Sequence, residues 1–435
     1  MATTFLTRTI ASATGTTKGT FSCWVKRSGL TDGRMFSSWG SGTSQFWIIF
    51  SSNKISIADY DGSYNLQYVT NRLFRDTSAW YHIVVAIDTT LGTSGDRVKL
   101  YVNGVQETSF STSTAPSQDQ VLNFSNNGEE FRIGKRDSEE YLDGSMTHIH
   151  FTDGYAYAAS DFGETDSTSG IWKPKTSPSV TYGNNGFFLK FENSGAMGTD
   201  SSGNSNTFTV NGTLTQNVDT PSNNFATFNP LKDGRMNGST QYKATFTNGN
   251  TTSTFAESTY NTGAFSSLAV NSGKYYAEIK CSNAGGNTKL GLFSADDYGS
   301  NDFSGTYLYD SSGTFGGSAY GNSFTTGDII QIAFDATNGT VWFGKNGTWQ
   351  DSATQSEIEA GTTTNSATTG IDMTQFWHFG TYGVNATAFQ ANFGQGYFGT
   401  TAVASAGTAP SEGGIFEYDC PSGYQALCTK GINSF

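Results

Sequence analysis

Apolar residues in this chain come in short alternating runs broken by polar turns, and no long Leu/Ala/Glu/Lys stretch carries a helical period. In the first half, 20–27 (TFSCWVKR), 46–50 (FWIIF), 80–88 (WYHIVVAID), 98–104 (VKLYVNG), 130–136 (EFRIGKR) and 145–151 (SMTHIHF) read as strands, and 186–192 (GFFLKFE) closes the set. Strands resume at 274–281 (KYYAEIKC), 289–295 (KLGLFSA), 329–335 (IIQIAFD), 340–347 (TVWFGKNG), 376–382 (FWHFGTY) and 389–394 (FQANFG). Asp61-Gly62, Asn103-Gly104 and Asp143-Gly144 supply tight turns. Two long hairpins follow one plan: 80–104 and 327–347 each run an apolar strand into Asp-x-Thr, turn, and return along a strand ending on Asn-Gly. In the later hairpin, alternation puts Ile330, Ile332 and Phe334 inward and Gln331 and Asp335 outward. Residues 196–235 are small and polar with little periodicity, which predicts a linker. The pattern therefore predicts an all-β chain of two β-sandwich (jelly-roll) domains, 1–195 and 236–397, with a polar linker at 196–235 and a tail at 398–435. A length of 435 residues agrees, being too great for one ordinary core.

Composition narrows the partners. Charged residues make up only 14% of the chain, but aromatics also make up 14%, enough to build cores rather than a disordered polymer. A net charge of −13 without a Lys/Arg cluster argues against nucleic acid and anionic lipid as partners, and no run is long enough to span a membrane. Cys23 and Cys281 lie in strand-like runs, where a thiol packs as a small hydrophobe. A Cys420–Cys428 bridge is the lesser alternative to free thiols there. The N-terminal MATTFLTRTIASATGTTKG lacks the apolar core of an export signal, although the composition suits an extracellular protein. A virus particle, assembled in the host cytoplasm and released by lysis, reconciles the two; export by another route or retention in the cell are the alternatives.

Four motifs in order, TFSCWVKRS, SAWYHIVVAIDTT, VKLYVNGV and YLDGSMTHIHF, resemble laminin-G-like (concanavalin A-like) domains. GKYYAEIK, KLGLFSADD, GDIIQIAFDATNGTVWFGKNG and ANFGQGYF resemble a SPRY domain. The resemblance implies two sandwiches of concanavalin-like topology, so the repeated hairpin reflects a shared fold rather than a shared ligand. A third resemblance spans nearly the whole chain. DGYAYAASDFGETDSTSGIWKPK, YGNNGFFLKFE, DSSGNSNTFTVNG, DTPSNNFATFNPL and PSGYQALC are similar to tail-fibre-like and structural virion proteins of tailed phages of aquatic bacteria. This implies a non-enzymatic virion component, a tail fibre or capsid appendage that recognises host-surface glycans. Other virion proteins would be its partners, and a homo-oligomer, trimeric by analogy with other phage appendages, its state. A free lectin-like carbohydrate-binding protein is the alternative reading, and a polysaccharide-degrading enzyme the third.

Concanavalin-like glycosidases carry acids at alternate strand positions (E-x-D-x-x-E), which sets two carboxyls about 5 Å apart on one face. Here Glu129-Glu130 and Glu139-Glu140 are adjacent and face opposite ways, and Glu357 and Glu359 read as loop residues, so no catalytic residue is assigned. His148-x-His150 sets two imidazoles on one strand face without a nearby third ligand, so they read as sheet histidines. Asp59 and Asp61 are candidate calcium ligands, as is the stretch 294–305, in keeping with the loop-rim calcium sites of laminin-G-like domains; turn residues solvating a loop are the alternative. Exposed aromatics are the remaining signal, because sugars stack their C–H faces on Trp and Tyr. Trp24 is expected on the more polar face of its strand. Tyr60, Tyr64, Tyr307 and Tyr309, beside Asp61 and Asp297, are expected in two recognition loops, 59–68 and 294–310.

Overall fold

Strands form where the alternating runs lie, because alternation gives each strand one apolar face to bury against another sheet. The computed structural model describes residues 4–41, 43–136, 139–233, 235–237, 240–296 and 305–435. The chain is all-β and divides into two units, Met1–Gln216 and Asn217–Phe435. No helix among the described residues is long and apolar enough to cross a membrane.

In chain order the strands of the first unit are β1 (Phe5–Thr9), β2 (Lys18–Arg27), β3 (Gly33–Ser41), β4 (Ser44–Ser51), β5 (Lys54–Tyr60), β6 (Tyr64–Thr70), β7 (Trp80–Asp88) and β8 (Val98–Val102). They continue with β9 (Val105–Glu107), β10 (Phe110–Thr114), β11 (Glu130–Ile133), β12 (Gly144–Asp153), β13 (Gly163–Thr165), β14 (Trp172–Pro174), β15 (Phe187–Leu189) and β16 (Thr209–Asn211). One sheet has eight strands in the order β10-β6-β5-β4-β3-β11-β1-β16, and the other has six, β15-β12-β2-β7-β8-β9. Between them Phe21, Cys23 and Val25 of β2 meet Phe36, Phe46, Ile48 and Phe131, with the Phe21 and Phe36 rings 4.7 Å apart.

The second unit repeats the two-layer plan. A seven-stranded sheet containing Thr262–Val270, Gly286–Ser294 and Trp377–Val384 packs on a sheet built around Lys274–Asn283, Ile329–Asp335 and Thr340–Lys345. The two look-alike hairpins share their details. Asn103-Gly104 (φ 50° and 82°) and Asn346-Gly347 (φ 49° and 84°) turn with both residues left-handed, which Asn and Gly tolerate best. Each first strand ends on an Asp whose register partner is a Lys: Lys18 meets Asp88 at 2.9 Å, and Lys274 meets Asp335 at 3.6 Å.

Three expectations are corrected. Residues 196–235 are not a linker. Phe208 is buried against Phe187 (4.7 Å), β16 pairs with β1, and the Asn206 amide donates to Asn184 O and Gly186 O at 2.9 and 2.8 Å. Phe225, Ala226 and Phe228 are buried in the second unit. Polar side chains in this stretch satisfy backbone groups inside the fold, so composition that suggests a solvated linker belongs instead to packed turns.

Residues 398–435 are not a loose tail either. Phe416, Cys420, Tyr424, Ala426 and Cys428 are buried with Tyr276, Ala333 and Trp342, and Gln425–Ala426 pairs in parallel with Lys274–Asn283. Gln331 and Asp335 face away from the core as expected, but are buried too. Glu278 accepts the N–H of Glu417 (2.8 Å), the N–H of Tyr418 (2.8 Å) and the hydroxyl of Tyr276 (2.9 Å). Burial pushes this carboxyl up to about 7, while those three donors pull it down. Finally, Glu357 and Glu359 lie in a short helix, Gln355–Ala360, where Glu357 caps the N–H of Thr354 at 2.7 Å. All four cysteines are free and buried.

Candidate functional site

The outer face of the eight-stranded sheet carries the exposed Tyr64 together with three half-buried aromatics, Trp39, Trp47 and Tyr60. Phe46, Ile48 and Phe50 of β4 face the core, so Gln45 and Trp47 face outward. Strand register then sets two rows across the sheet. One reads Glu130, Trp39, Gln45, Tyr60, Tyr64; the next reads Arg132, Ser37, Trp47, Ala58, Gln67. Trp39 to Tyr64 spans three interstrand spacings of about 4.8 Å, or about 14 Å. Tyr60 and Tyr64 sit edge to face at 5.2 Å, and Tyr64 meets Trp47 edge-on at 6.2 Å. Tyr64 is 48% exposed, while Tyr60, Trp47 and Trp39 are half-buried.

Guanidinium groups brace this surface. Arg34 lies 4.9 Å over Trp47, and Arg132 and Arg136 lie 5.2 and 5.6 Å over Trp39. Arg34 Nε donates to Glu140 (2.5 Å), and Arg132 Nε to Glu130 (2.5 Å). Glu129 points the other way, accepting from Ser44 (2.5 Å), Ser38 (3.2 Å) and Asn126 (3.2 Å).

Of the residues singled out in the sequence, Tyr60 and Tyr64 come together here with exposed Asp61 beside them, although 59–68 is not a loop: Tyr60 ends β5, Tyr64 begins β6, and only 61–63 turn between them. Asp59 is buried: Asn65 Nδ2 (2.8 Å), Asn123 N (2.6 Å) and Asn123 Nδ2 (3.0 Å) hold its two oxygens, and burial raises it to about 6. Donor N–H groups thus stand where a calcium ion would have to sit, so the geometry does not pair Asp59 with Asp61 as ligands. No group of three or more His, Cys, Asp or Glu among the described residues is arranged to hold a metal ion.

Trp24 occupies the outer face of the six-stranded sheet as alternation implies, yet it is only 3% exposed and stacks on His82 at 4.7 Å. The segment after β12 crosses that face, packing Tyr157, Ala159, Phe162, Trp172 and Val180 on Val84 and Tyr101. Tyr307 and Tyr309 lie in a strand, Thr306–Asp310, rather than a loop. Tyr309 is buried against Phe343 (5.4 Å), and Tyr307 packs on Trp377 (5.2 Å). Asp297 lies outside the described residues. Trp47, Trp39 and the three arginines were missed, although the alternation of FWIIF already turned Trp47 away from its apolar neighbours.

His82 makes the nearest approach to a nucleophile–base pair. Its Nε2 lies 2.9 Å from Ser22 Oγ, and Trp172 Nε1 donates to its Nδ1 at 3.0 Å. With Nδ1 accepting, the neutral ring carries its proton on Nε2 and donates to Ser22, the wrong direction for a base toward that hydroxyl. Burial holds His82 down at about 3 and His148 at about 4, and His150, against Phe188 at 3.9 Å, lower than its ordinary value as well. A groove of about 390 Å³ lined by Met197, Phe208, Val210 and Leu214 offers no charged group.

Residues 3–159 match the family described as the Concanavalin A-like lectin/glucanases superfamily, so the first unit is concanavalin A-like over that range. Similar solved structures include a native heptameric SAP-like pentraxin from Limulus polyphemus, 16% identical over 36% of this chain and 71% of its own, with a TM-score of 0.28. The SPRY domain of human HERC1 is 17% identical over 38% of this chain and 96% of its own, with a TM-score of 0.28. Domain 4 of AbnA, a GH43 extracellular arabinanase from Geobacillus stearothermophilus in complex with arabinotriose, is 16% identical over 33% of this chain and 64% of its own, with a TM-score of 0.23. No curated protein matches the chain.

Proposed function

We propose that the protein recognises carbohydrate without cleaving it, through the outer face of the first unit's eight-stranded sheet, as a tail-fibre or capsid appendage of a virus particle. One observation carries the recognition reading: Trp47, Tyr60 and Tyr64 converge on a face that also carries the half-buried Gln67 and the exposed Asp61, away from the residues that fill the core. Aromatic edges and faces stack on sugar C–H surfaces, and neighbouring amides and hydroxyls take the sugar hydroxyls. The non-enzymatic reading is supported by the carboxylates of that face, Glu130 and Glu140, each of which already holds a guanidinium. The particle reading rests on the sequence motifs shared with phage virion proteins. Screening the whole chain on a glycan array tests recognition. Tyr64→Ala should weaken any captured glycan between about threefold and tenfold, with little change in melting temperature. A blank array, or a glycan held equally by the variant, removes the site. Imaging particles with and without the gene product tests the location.

A further inference from the structure

The cationic groups of the first unit are unevenly placed on this face. Arg34, Arg132 and Arg136 crowd the Trp39 end of the aromatic row in a chain whose net charge is −13, and Asp61 stands at the other end of that row, beyond Tyr60. The three guanidiniums differ in how far they are already used. Arg34 has a 3% exposed side chain and is bound to Glu140 at 2.5 Å; Arg132 is 12% exposed and bound to Glu130 at 2.5 Å. Arg136 is 37% exposed, and its pairing with Glu140 is long, at 3.8 Å. Glu140 is therefore shared by Arg34 and Arg136 and closes fully on the first. Trp39 lies under both Arg132 and Arg136, so its ring face is taken by the guanidiniums rather than by a sugar. A planar guanidinium held in this way matches a carboxylate with two parallel hydrogen bonds.

We propose that this face selects anionic polysaccharide, with Arg136 taking a sugar carboxylate at the Trp39 end while Tyr60 and Tyr64 stack the neighbouring sugars. The inference rests on the carbohydrate reading above and adds the ligand's charge and direction along the row. The test is binding of the full chain to polygalacturonate and to the same polymer fully methyl-esterified, which keeps the backbone and removes the charge. Wild-type protein should prefer the acid form about tenfold, and added salt should erode that preference. Arg136→Ala should remove most of the preference, and Arg136→Lys should retain part of it, with melting temperatures unchanged. Equal binding of both polymers by the wild type, or a preference that survives Arg136→Ala, overturns the anionic assignment while leaving carbohydrate recognition standing. Binding to polyglutamate as tight as to polygalacturonate would also overturn it, since charge alone would then suffice. A wild type that binds neither polymer, together with a blank glycan array, overturns the parent reading with it.

Discussion

Replacing Tyr309 with Ala removes a phenol that stacks on Phe343 at 5.4 Å and donates its hydroxyl to the Asn322 carbonyl. Burial raises this phenol to about 12, as befits a group that never meets water as an anion. The loss should cost about 3–5 kcal/mol, read as a large fall in the second unit's melting temperature. Tyr64→Ala, at a site 48% exposed, should cost less than about 0.5 kcal/mol. Equal costs at the two sites would mean that Tyr64 is a packing residue. Nothing in either local sequence separates these tyrosines, for both stand among small polar residues. What separates them is the face each occupies: Tyr309 points into the space between two sheets, whereas Tyr64 stands on the opposite face from Leu66 and Tyr68, the core residues of its own strand.

At the scale of elements, the covered outer face of the six-stranded sheet makes the first unit sensitive to acid. His82 and His150 are buried and neutral there, with pKa values held down by burial. In the unfolded chain they protonate below about 6.5, so that state binds more protons, and stability is lost as pH falls from that value toward the folded pKa. At pH 5 His82 should cost about 2 kcal/mol, and His150 acts in the same direction. Asp59, raised to about 6, binds its proton first in the folded state and returns about 1 kcal/mol over the same range. Glu278 in the second unit also has a raised pKa, about 7, so the stability it contributes is greatest at low pH and lost as pH rises through 7. Calorimetry between pH 7.5 and 5 should therefore show the first unit's transition falling while the second holds or rises. Transitions that fall together would contradict this division.

At the scale of the molecule, the unit boundaries decide which fragments fold. Residues 1–216 and 217–435 should each unfold cooperatively with β-type circular dichroism. A fragment ending at 195 loses Phe208, β16 and the Asn206 amide, and should be several kcal/mol less stable than 1–216. One ending at 397 strips Phe416, Tyr424 and Leu427 and takes two N–H donors from Glu278, and should not reach a native second unit at all. Equal stability of 1–195 and 1–216 would show that the polar stretch after 195 contributes little.

The sequence alone determined the all-β class, both long hairpins and the inward direction of Ile330, Ile332 and Phe334, because a period of two and an Asn-Gly turn are local properties of neighbouring residues. It also held the outward direction of Trp47 and the meeting of Tyr60 with Tyr64 across one tight turn. The tertiary structure decided which outward faces remain open. Trp24, Gln331 and Asp335 were correctly turned away from their cores, yet chain from well beyond their own strands, after β12 in one unit and after residue 398 in the other, closes over those faces. The eight-stranded sheet keeps Tyr64 exposed, and its arginines gather from β3 and β11 and the turn after β11, nearly a hundred residues apart in sequence. Burial is a property of the whole chain's packing, so a pattern confined to neighbours can assign a side chain to a face but cannot say what will come to lie upon it.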